Sequence, residues 1–457
     1  MNVPWSSHAW KKVLVYGLGS SGRSAVRLLS GKSVEVVAMD RRREDELDLE
    51  DLVACDGLEL VLGSEPDGLP KGVDGVVVSP GIRPDRPLLA AARAIGLPVI
   101  GEVELASIFL NGPLLAITGS NGKSTTTALT GALLESAGLR AEVCGNIGVP
   151  LSSRLDGPKG RVFVVELSSF QLESVATLHP KVAALLNVSS DHLDRHGDFY
   201  RYLAAKTAIF ERQTVADFAV LNADDPTVRE VGVMARRRFF SRLGAPENGC
   251  YLDGETVVEV EPDGSRTKLF DRRDVALVGT HNLENAMAAA LMARAVGADA
   301  GRFGEALTAF RGLPHRMEKV AEIDGIVWLD DSKGTNVGAT LKSLAGFDDE
   351  SVHLILGGRS KGADFSPLAS EVARKARRVY LIGEAAEEIA GILEAGGSFE
   401  HCADLDSAVA AAALHARSGE FVLLSPACAS FDQYPSYDKR GDHFKQLVRE
   451  VIGGHIG

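Results

Sequence analysis

The chain has 457 residues, 45% of them apolar and 24% charged, with a net charge of −13. That length supports several domains with cores of their own, in an ordered globular protein. The acidic balance disfavours nonspecific nucleic-acid binding, which needs an electropositive surface. No apolar run is long enough to span a bilayer and no signal-like segment opens the chain, so no membrane partner is expected and a cytoplasmic location is. The five cysteines (Cys55, Cys144, Cys250, Cys402 and Cys428) are scattered without a C-x-x-C pair, as reduced thiols would be.

Three α/β blocks follow one another. The first opens with the apolar run Val13 to Tyr16, then Gly17-Leu18-Gly19-Ser20-Ser21-Gly22, a helical pattern through Leu29, and a second strand from Val34 to Met39 closed by Asp40. This spacing matches a dinucleotide fingerprint, but the same turn takes any diphosphate at a helix N-terminus, or none where strand and helix simply pack closely. A nucleotide diphosphate is the expected ligand, and no residues for hydride transfer accompany the turn. Val76-Val77-Val78 runs into Ser79-Pro80-Gly81, and Leu110-Asn111-Gly112-Pro113 marks a boundary.

The second block carries the most informative stretch. The strand Leu114 to Ile117 leads into Thr118-Gly119-Ser120-Asn121-Gly122-Lys123-Ser124-Thr125 and a helix-compatible run through Leu134. Glycines let backbone N–H groups curl around phosphate, Lys123 reaches the distal phosphates, and the Ser124 hydroxyl can hold Mg²⁺. The usual first glycine of such a loop is replaced by Ile117. Further buried strands are expected at Val162 to Val165, Val182 to Leu186 and Phe218 to Leu221. Glu166 stands at the end of the first of these, at the ligand edge of a parallel sheet. There it either holds Mg²⁺ or caps the helix begun by Ser168 and Ser169. Asn187 to His196 follows the next strand and brings His192 to the same edge. Lys206, in a helix expected over Tyr202 to Phe210, reads by pattern as a solvated lysine. Arg236 to Arg273 is charge-rich and reads as an antiparallel excursion, and Phe310 to Pro314 as a hinge.

In the third block, strands are expected at Ile326 to Leu329, His353 to Leu356, Val379 to Ile382 and Phe421 to Leu424. The polar runs Asp331 to Asn336, Gly357 to Gly362 and Ser425 to Asp432 follow strands, where α/β proteins place ligands.

In order and over nearly the whole chain, these motifs resemble the Mur ligases. Besides the loops above, the likeness is carried by Gly145-Asn146-Ile147-Gly148, Glu166 to Leu172, Gly279 to Asn285, His315-Arg316 and Asp331-Ser332-Lys333. The short phosphate loop without its first glycine is similar to this family's form. The resemblance implies an α/β fold of three domains. A Rossmann-like domain at 1–110 would bind a UDP-linked substrate, a P-loop-type domain at 111–312 would bind ATP, and a Rossmann-like domain at 313–457 would bind an amino acid. Ser168 to Leu172 and Ser425 to Phe431 are the runs that imply D-glutamate, with UDP-N-acetylmuramoyl-L-alanine as the other substrate. ATP, about two Mg²⁺ ions and a monomer are implied with them.

By the same resemblance Gly119, Ser120, Asn121, Gly122, Lys123, Ser124 and Thr125 cradle ATP, with Asn282, Arg316 and Asp331 contacting it. Ser124 and Glu166 hold one metal; His192 and Lys206 serve a second, Lys206 as a carbamate. Lys123, His192 and Lys206 are the catalytic set. Gly19, Ser20, Arg42, Ser79, Gly81 and Asn146 face the nucleotide substrate, while Thr335, Lys333, Lys361, Ser425 and Phe431 face D-glutamate. Groups on the second and third blocks would then meet by hinge closure. An NAD-linked oxidoreductase and a nucleotide-binding scaffold without turnover are the rival readings.

Overall fold

Short apolar runs bounded by glycine and polar turns become parallel strands buried on both faces. The computed structural model describes residues 10–47, 49–66, 68–189, 191–277, 279–360, 363–393 and 398–454. The first sheet comprises β1 (Lys12–Tyr16), β2 (Glu35–Asp40), β3 (Leu58–Leu62), β4 (Gly75–Val78) and β5 (Val99–Gly101). All are parallel, in the order β3-β2-β1-β4-β5. The order in which strands are added turns back between β1 and β4, which places the Gly17 to Gly22 turn and Ser79 at a topological switch point.

The second sheet has nine strands: β6 (Leu114–Thr118), β7 (Ala141–Gly145), β8 (Val162–Glu166), β9 (Val182–Leu185), β10 (Phe218–Asn222), β11 (Arg236–Ser241), β12 (Gly249–Asp253), β13 (Thr256–Val260) and β14 (Arg266–Asp271). Their order is β14-β13-β12-β11-β10-β9-β6-β8-β7. β6 lies between β8 and β9, so the phosphate loop, the end of β8 and the end of β9 share one edge. The expected antiparallel excursion is confined to β13 and β14; β11 and β12 continue the sheet in parallel. The one buried charge of β11 is paired inside the protein: Arg238 lies 3.0 Å from the buried Glu259, which also meets Arg294 at 2.9 Å. That pairing lets a charge-rich segment form a covered strand.

The third sheet holds β15 (Glu318–Ile323), β16 (Ile326–Asp330), β17 (Val352–Gly357), β18 (Ala376–Ile382), β19 (Phe399–His401) and β20 (Phe421–Leu424), in the order β15-β16-β20-β17-β18-β19. Only β15 runs antiparallel. Because β20 inserts between β16 and β17, the loops after β16 and β20 are neighbours. The chain divides into two compact units. The first contains the first two sheets and the segment Glu284–Leu307; the second contains Val275–Leu283 and the chain from Thr308 on. Among the described residues no helix is long and apolar enough to cross a membrane.

Candidate active site

In the first unit the fully buried β6 delivers the phosphate loop, and the helix Lys123–Ser136 leaves it. Gly122 takes φ 84°, a left-handed conformation, and a Cβ there would strike the Asn285 amide. Glycine is therefore required both by backbone and by space. The first-turn N–H groups of the helix face the loop, where the helix dipole favours an anion.

The loop is held from outside. The Asn187 side chain accepts from the Asn121 N–H at 2.9 Å and donates to the Asn121 carbonyl at 3.1 Å. Ser120 Oγ accepts from the Ser189 N–H at 2.9 Å and lies 3.1 Å from the Tyr202 hydroxyl. Lys123 Nζ folds back to donate to the carbonyls of Gly119, at 2.8 Å, and Ser120, at 3.0 Å.

Lys206 is not the solvated lysine its pattern predicts. It is 1% exposed, and its Nζ donates to the Gly119 carbonyl at 2.8 Å, sharing that acceptor with Lys123. Tyr202 and Lys206 stand four residues apart on the helix Phe199–Thr207, so one buried face carries both. Burial, then the Lys123 ammonium, push Lys206 down to about 6, against the pull of Asp191 and Glu166. An amine so placed is largely neutral near pH 7 and nucleophilic.

Glu166 closes β8 and is 1% exposed. One carboxylate oxygen accepts from Asn146 Nδ2 at 2.7 Å; the other, Oε2, is buried without a hydrogen-bond partner. A helix cap is not its role, because Ser168 caps the next helix by accepting from the Gln171 N–H at 3.2 Å. A carboxylate oxygen left bare in the interior is costly, and a hard cation is the natural group to satisfy it. The donor set of Glu166 with the Ser124 hydroxyl therefore fits Mg²⁺. His192 is exposed, at φ 53°, with its ring 4.8 Å from that of Phe170 and Nε2 3.7 Å from Asp191.

At the edge of the first sheet Gly19 caps the helix Ser20–Ser30. The two Asp40 oxygens are engaged: they accept from the Leu18 N–H at 2.7 Å and from the Arg42 guanidinium at 2.8 and 3.1 Å. Burial opposes ionisation, but these bonds prevail and bring the Asp40 carboxyl to about 2. An acid already forked to Arg42 is not a free acceptor for ribose hydroxyls, which departs from the dinucleotide pattern. Ser79 Oγ donates to the Gly17 carbonyl at 2.6 Å and so locks the two turns together; Gly81 is open on its Cβ side.

In the second unit Asp331 follows β16 and is buried. Ser425 and Ser343 each donate to its Oδ2 at 2.7 Å. Ser425, expected to face D-glutamate, gives its hydroxyl proton to Asp331 here, and its oxygen can still accept. Burial raises the Asp331 carboxyl to about 6, against the two serine bonds and Arg316. Just before Arg316, His315 takes φ 63°; Asp330 holds its ring at 2.7 Å and Glu318 holds its backbone N–H at 2.8 Å. Lys333 lies 3.8 Å over the Tyr437 ring, Asn282 is buried, Thr335 is partly so, and Phe431 is 57% exposed. Lys361 lies outside the described residues.

The folded pKa of Asp331 lies above its unfolded value of 3.8, so the native state keeps a proton that the unfolded chain loses. Stability falls as pH rises from about 4 to 6 and stays lowered above that. Asp331→Asn, which still accepts both serine bonds, is expected to stabilise the protein by on the order of 1–3 kcal/mol at pH 7–8 and not at pH 4. Thermal melts across that range check this; a gain that does not vary with pH refutes the assignment.

Three family models cover these regions in order. A Mur ligase MurD-like N-terminal domain matches residues 11–101, the Mur ligase middle domain 117–293, and the Mur ligase glutamate ligase domain 315–428. The chain is a Mur ligase. It is 44% identical over 454 residues to UDP-N-acetylmuramoylalanine–D-glutamate ligase of Pelotomaculum thermopropionicum, covering 97% of this chain and 98% of that one. The protein of the same name from Nitrosococcus oceani is 38% identical over 460 residues, covering 99% of each. Solved structures share this Mur ligase's fold at low identity. UDP-N-acetylmuramate-alanine ligase MurC of Thermotoga maritima gives a TM-score of 0.61 at 18% identity, over 96% of this chain and 99% of that one. MurF of the same organism, in complex with ADP, gives 0.60 at 17%, over 99% and 98%.

Sequence reasoning named the loop and the carboxylate of this Mur ligase's site, but missed Tyr202 and Asn187 as supports of the loop. Asn187 had a signal, since it directly follows a buried strand at the ligand edge.

Proposed function

We propose that this Mur ligase joins D-glutamate to UDP-N-acetylmuramoyl-L-alanine at the expense of ATP, as a monomer in the cytoplasm, in building the peptidoglycan precursor. The observation that carries this is near-full-length likeness, at 38–44% identity, to proteins named for that reaction. The geometry supports it. A helix N-terminus and Lys123 wait for phosphates, and beside them a buried carboxylate lacks a partner for one oxygen.

The substrate's alanyl carboxylate attacks the γ-phosphorus of ATP, ADP leaves, and an acyl phosphate forms. The amine of D-glutamate adds to the acyl carbon and loses a proton. The tetrahedral adduct then expels phosphate and leaves an amide. The first step brings two anions together, so the protein's task is neutralisation and alignment. Gly119 to Thr125 orient the phosphates, with Lys123 swinging from the Gly119 and Ser120 carbonyls to neutralise them. Ser124 and Glu166 would hold Mg²⁺, which would supply further positive charge there. His192 and Lys206 serve a second ion, Lys206 after its neutral amine has taken up CO₂ and lost a proton to become a carbamate. Asn282, Arg316 and Asp331 serve ATP. The nucleotide end of the substrate is assigned to Gly19, Ser20, Arg42, Ser79, Gly81 and Asn146. Lys333, Thr335, Lys361, Ser425 and Phe431 are assigned to D-glutamate, whose two carboxylates suit the lysines.

Phosphate release from ATP, with Mg²⁺, bicarbonate, the nucleotide substrate and a panel of D- and L-amino acids, tests this. Release is expected only with the nucleotide and D-glutamate together. Release with another amino acid moves the specificity, and none with any acceptor refutes the ligase reading.

A further inference from the structure

Arg195 stands on the single-turn helix Leu193–His196, just past His192, and its side chain is 10% exposed. Its guanidinium donates to the Pro80 carbonyl at 2.8 Å and the Ile82 carbonyl at 3.3 Å. The same group donates to Glu173 Oε2 at 2.6 Å and lies 4.1 Å over the Phe170 ring. Glu173 is held in turn by His196 Nδ1, 3.1 Å from its other oxygen, and His196 Nε2 lies 3.0 Å from Ser169 Oγ. Phe170 also packs against the His192 ring. One planar cation thus touches a carboxylate, an aromatic face and two carbonyls of the Ser79 to Ile82 turn. That turn's far end is fixed by Ser79 on the Gly17 carbonyl. Only arginine offers donors in a flat fork that can do this and still stack; a lysine ammonium reaches one partner set and cannot lie flat on the ring.

The proposed substrate is held at its nucleotide end by the Gly17 and Ser79 turns, while its carboxylate reacts near His192 and the phosphate loop. The separation of those two places decides whether the carboxylate is in line with the γ-phosphorus. We infer that Arg195 is a positioning residue that fixes the 79–82 turn of the first sheet against the His192 segment, setting that separation. This inference rests on the ligase reading above.

Arg195→Ala, Arg195→Lys and Glu173→Gln in the full chain test it. Arg195→Ala is expected to lower kcat/KM for the nucleotide substrate roughly 10- to 100-fold, while KM for ATP stays within about twofold. Arg195→Lys recovers little of the loss. Glu173→Gln shifts the same parameter in the same direction by less. Low-millimolar guanidinium partly restores Arg195→Ala and leaves Arg195→Lys unchanged. Equal losses for nucleotide and ATP, or full recovery by lysine, overturn the inference. If the parent itself shows no turnover, the ligase reading fails, and hydrogen exchange decides the Arg195 contact separately. The Ile82 N–H, bonded to the Ser79 carbonyl at 2.9 Å, is expected to exchange faster in Arg195→Ala. Unchanged exchange in the 79–83 segment overturns it.

Discussion

Glu166→Gln is expected to lower phosphate release by about 10²–10³-fold and to leave the melting temperature unchanged or raise it. The change is isosteric, and the glutamine carbonyl still accepts from Asn146. What it removes is negative charge at a buried oxygen that no protein donor satisfies. Without a metal that charge costs stability, since one oxygen of the buried carboxylate has lost its water and gained no donor in exchange. With Mg²⁺ the same charge becomes a ligand, so the parent gains stability on metal binding and the variant does not. Melts with and without Mg²⁺, alongside the turnover assay, therefore separate a metal ligand from a structural carboxylate. The metal reading fails if Glu166→Gln melts far below the parent in Mg²⁺-free buffer, or if Mg²⁺ protects both equally.

The contrast between Glu166 and Lys206 shows what the sequence could and could not reveal. Glu166 was legible because parallel strands buried on both faces read as unbroken apolar runs, and a charged residue ending one must sit at the sheet's ligand edge. Lys206 was named only through the family resemblance and not by its pattern, because helical spacing shows which residues share a face but not what covers that face. Its burial depends on Gly119, 87 positions away. The charge-rich strand β11 was hidden for a related reason. Arg238 lies in the segment read as an antiparallel excursion, and its place in a buried parallel strand is plain only once Glu259 is seen to pair with it inside the protein. Arg195 lay within a quoted motif, yet its partners at Pro80 and Ile82 belong to another sheet, and no local pattern encodes such a contact. Ser425 was found as a strand-end residue, but its bond to Asp331 required knowing that β20 inserts beside β16.

Lys206→Met is expected to abolish ligation, by at least about 10²–10³-fold, and at the same time to raise stability by on the order of 1–4 kcal/mol at neutral pH. The folded pKa of Lys206 is about 6, against 10.5 for the unfolded chain. Between those values the unfolded state binds a proton that the native state does not, so the parent's stability rises with pH across that window. The penalty carried by the lysine is greatest at and below pH 6 and fades toward pH 10.5. In CO₂-free buffer the gap in melting temperature between variant and parent is therefore widest near pH 6 and closes as pH rises. A gap independent of pH would mean that the lysine stays charged in the fold. Bicarbonate supplies the complementary arm. A carbamate that forms only on the folded lysine stabilises the parent by mass action, whereas methionine gives CO₂ nothing to bind. The parent's melting temperature is expected to climb with bicarbonate while that of Lys206→Met stays fixed, and ¹³C-labelled bicarbonate is expected to give a carbamate resonance in the parent alone. The bicarbonate arm thus separates a lysine that is converted from one whose amine only supports the loop through the Gly119 carbonyl. In the proposed mechanism the product of that conversion is a carbamate, an oxygen donor beside the buried Glu166 oxygen that no protein hydrogen bond satisfies.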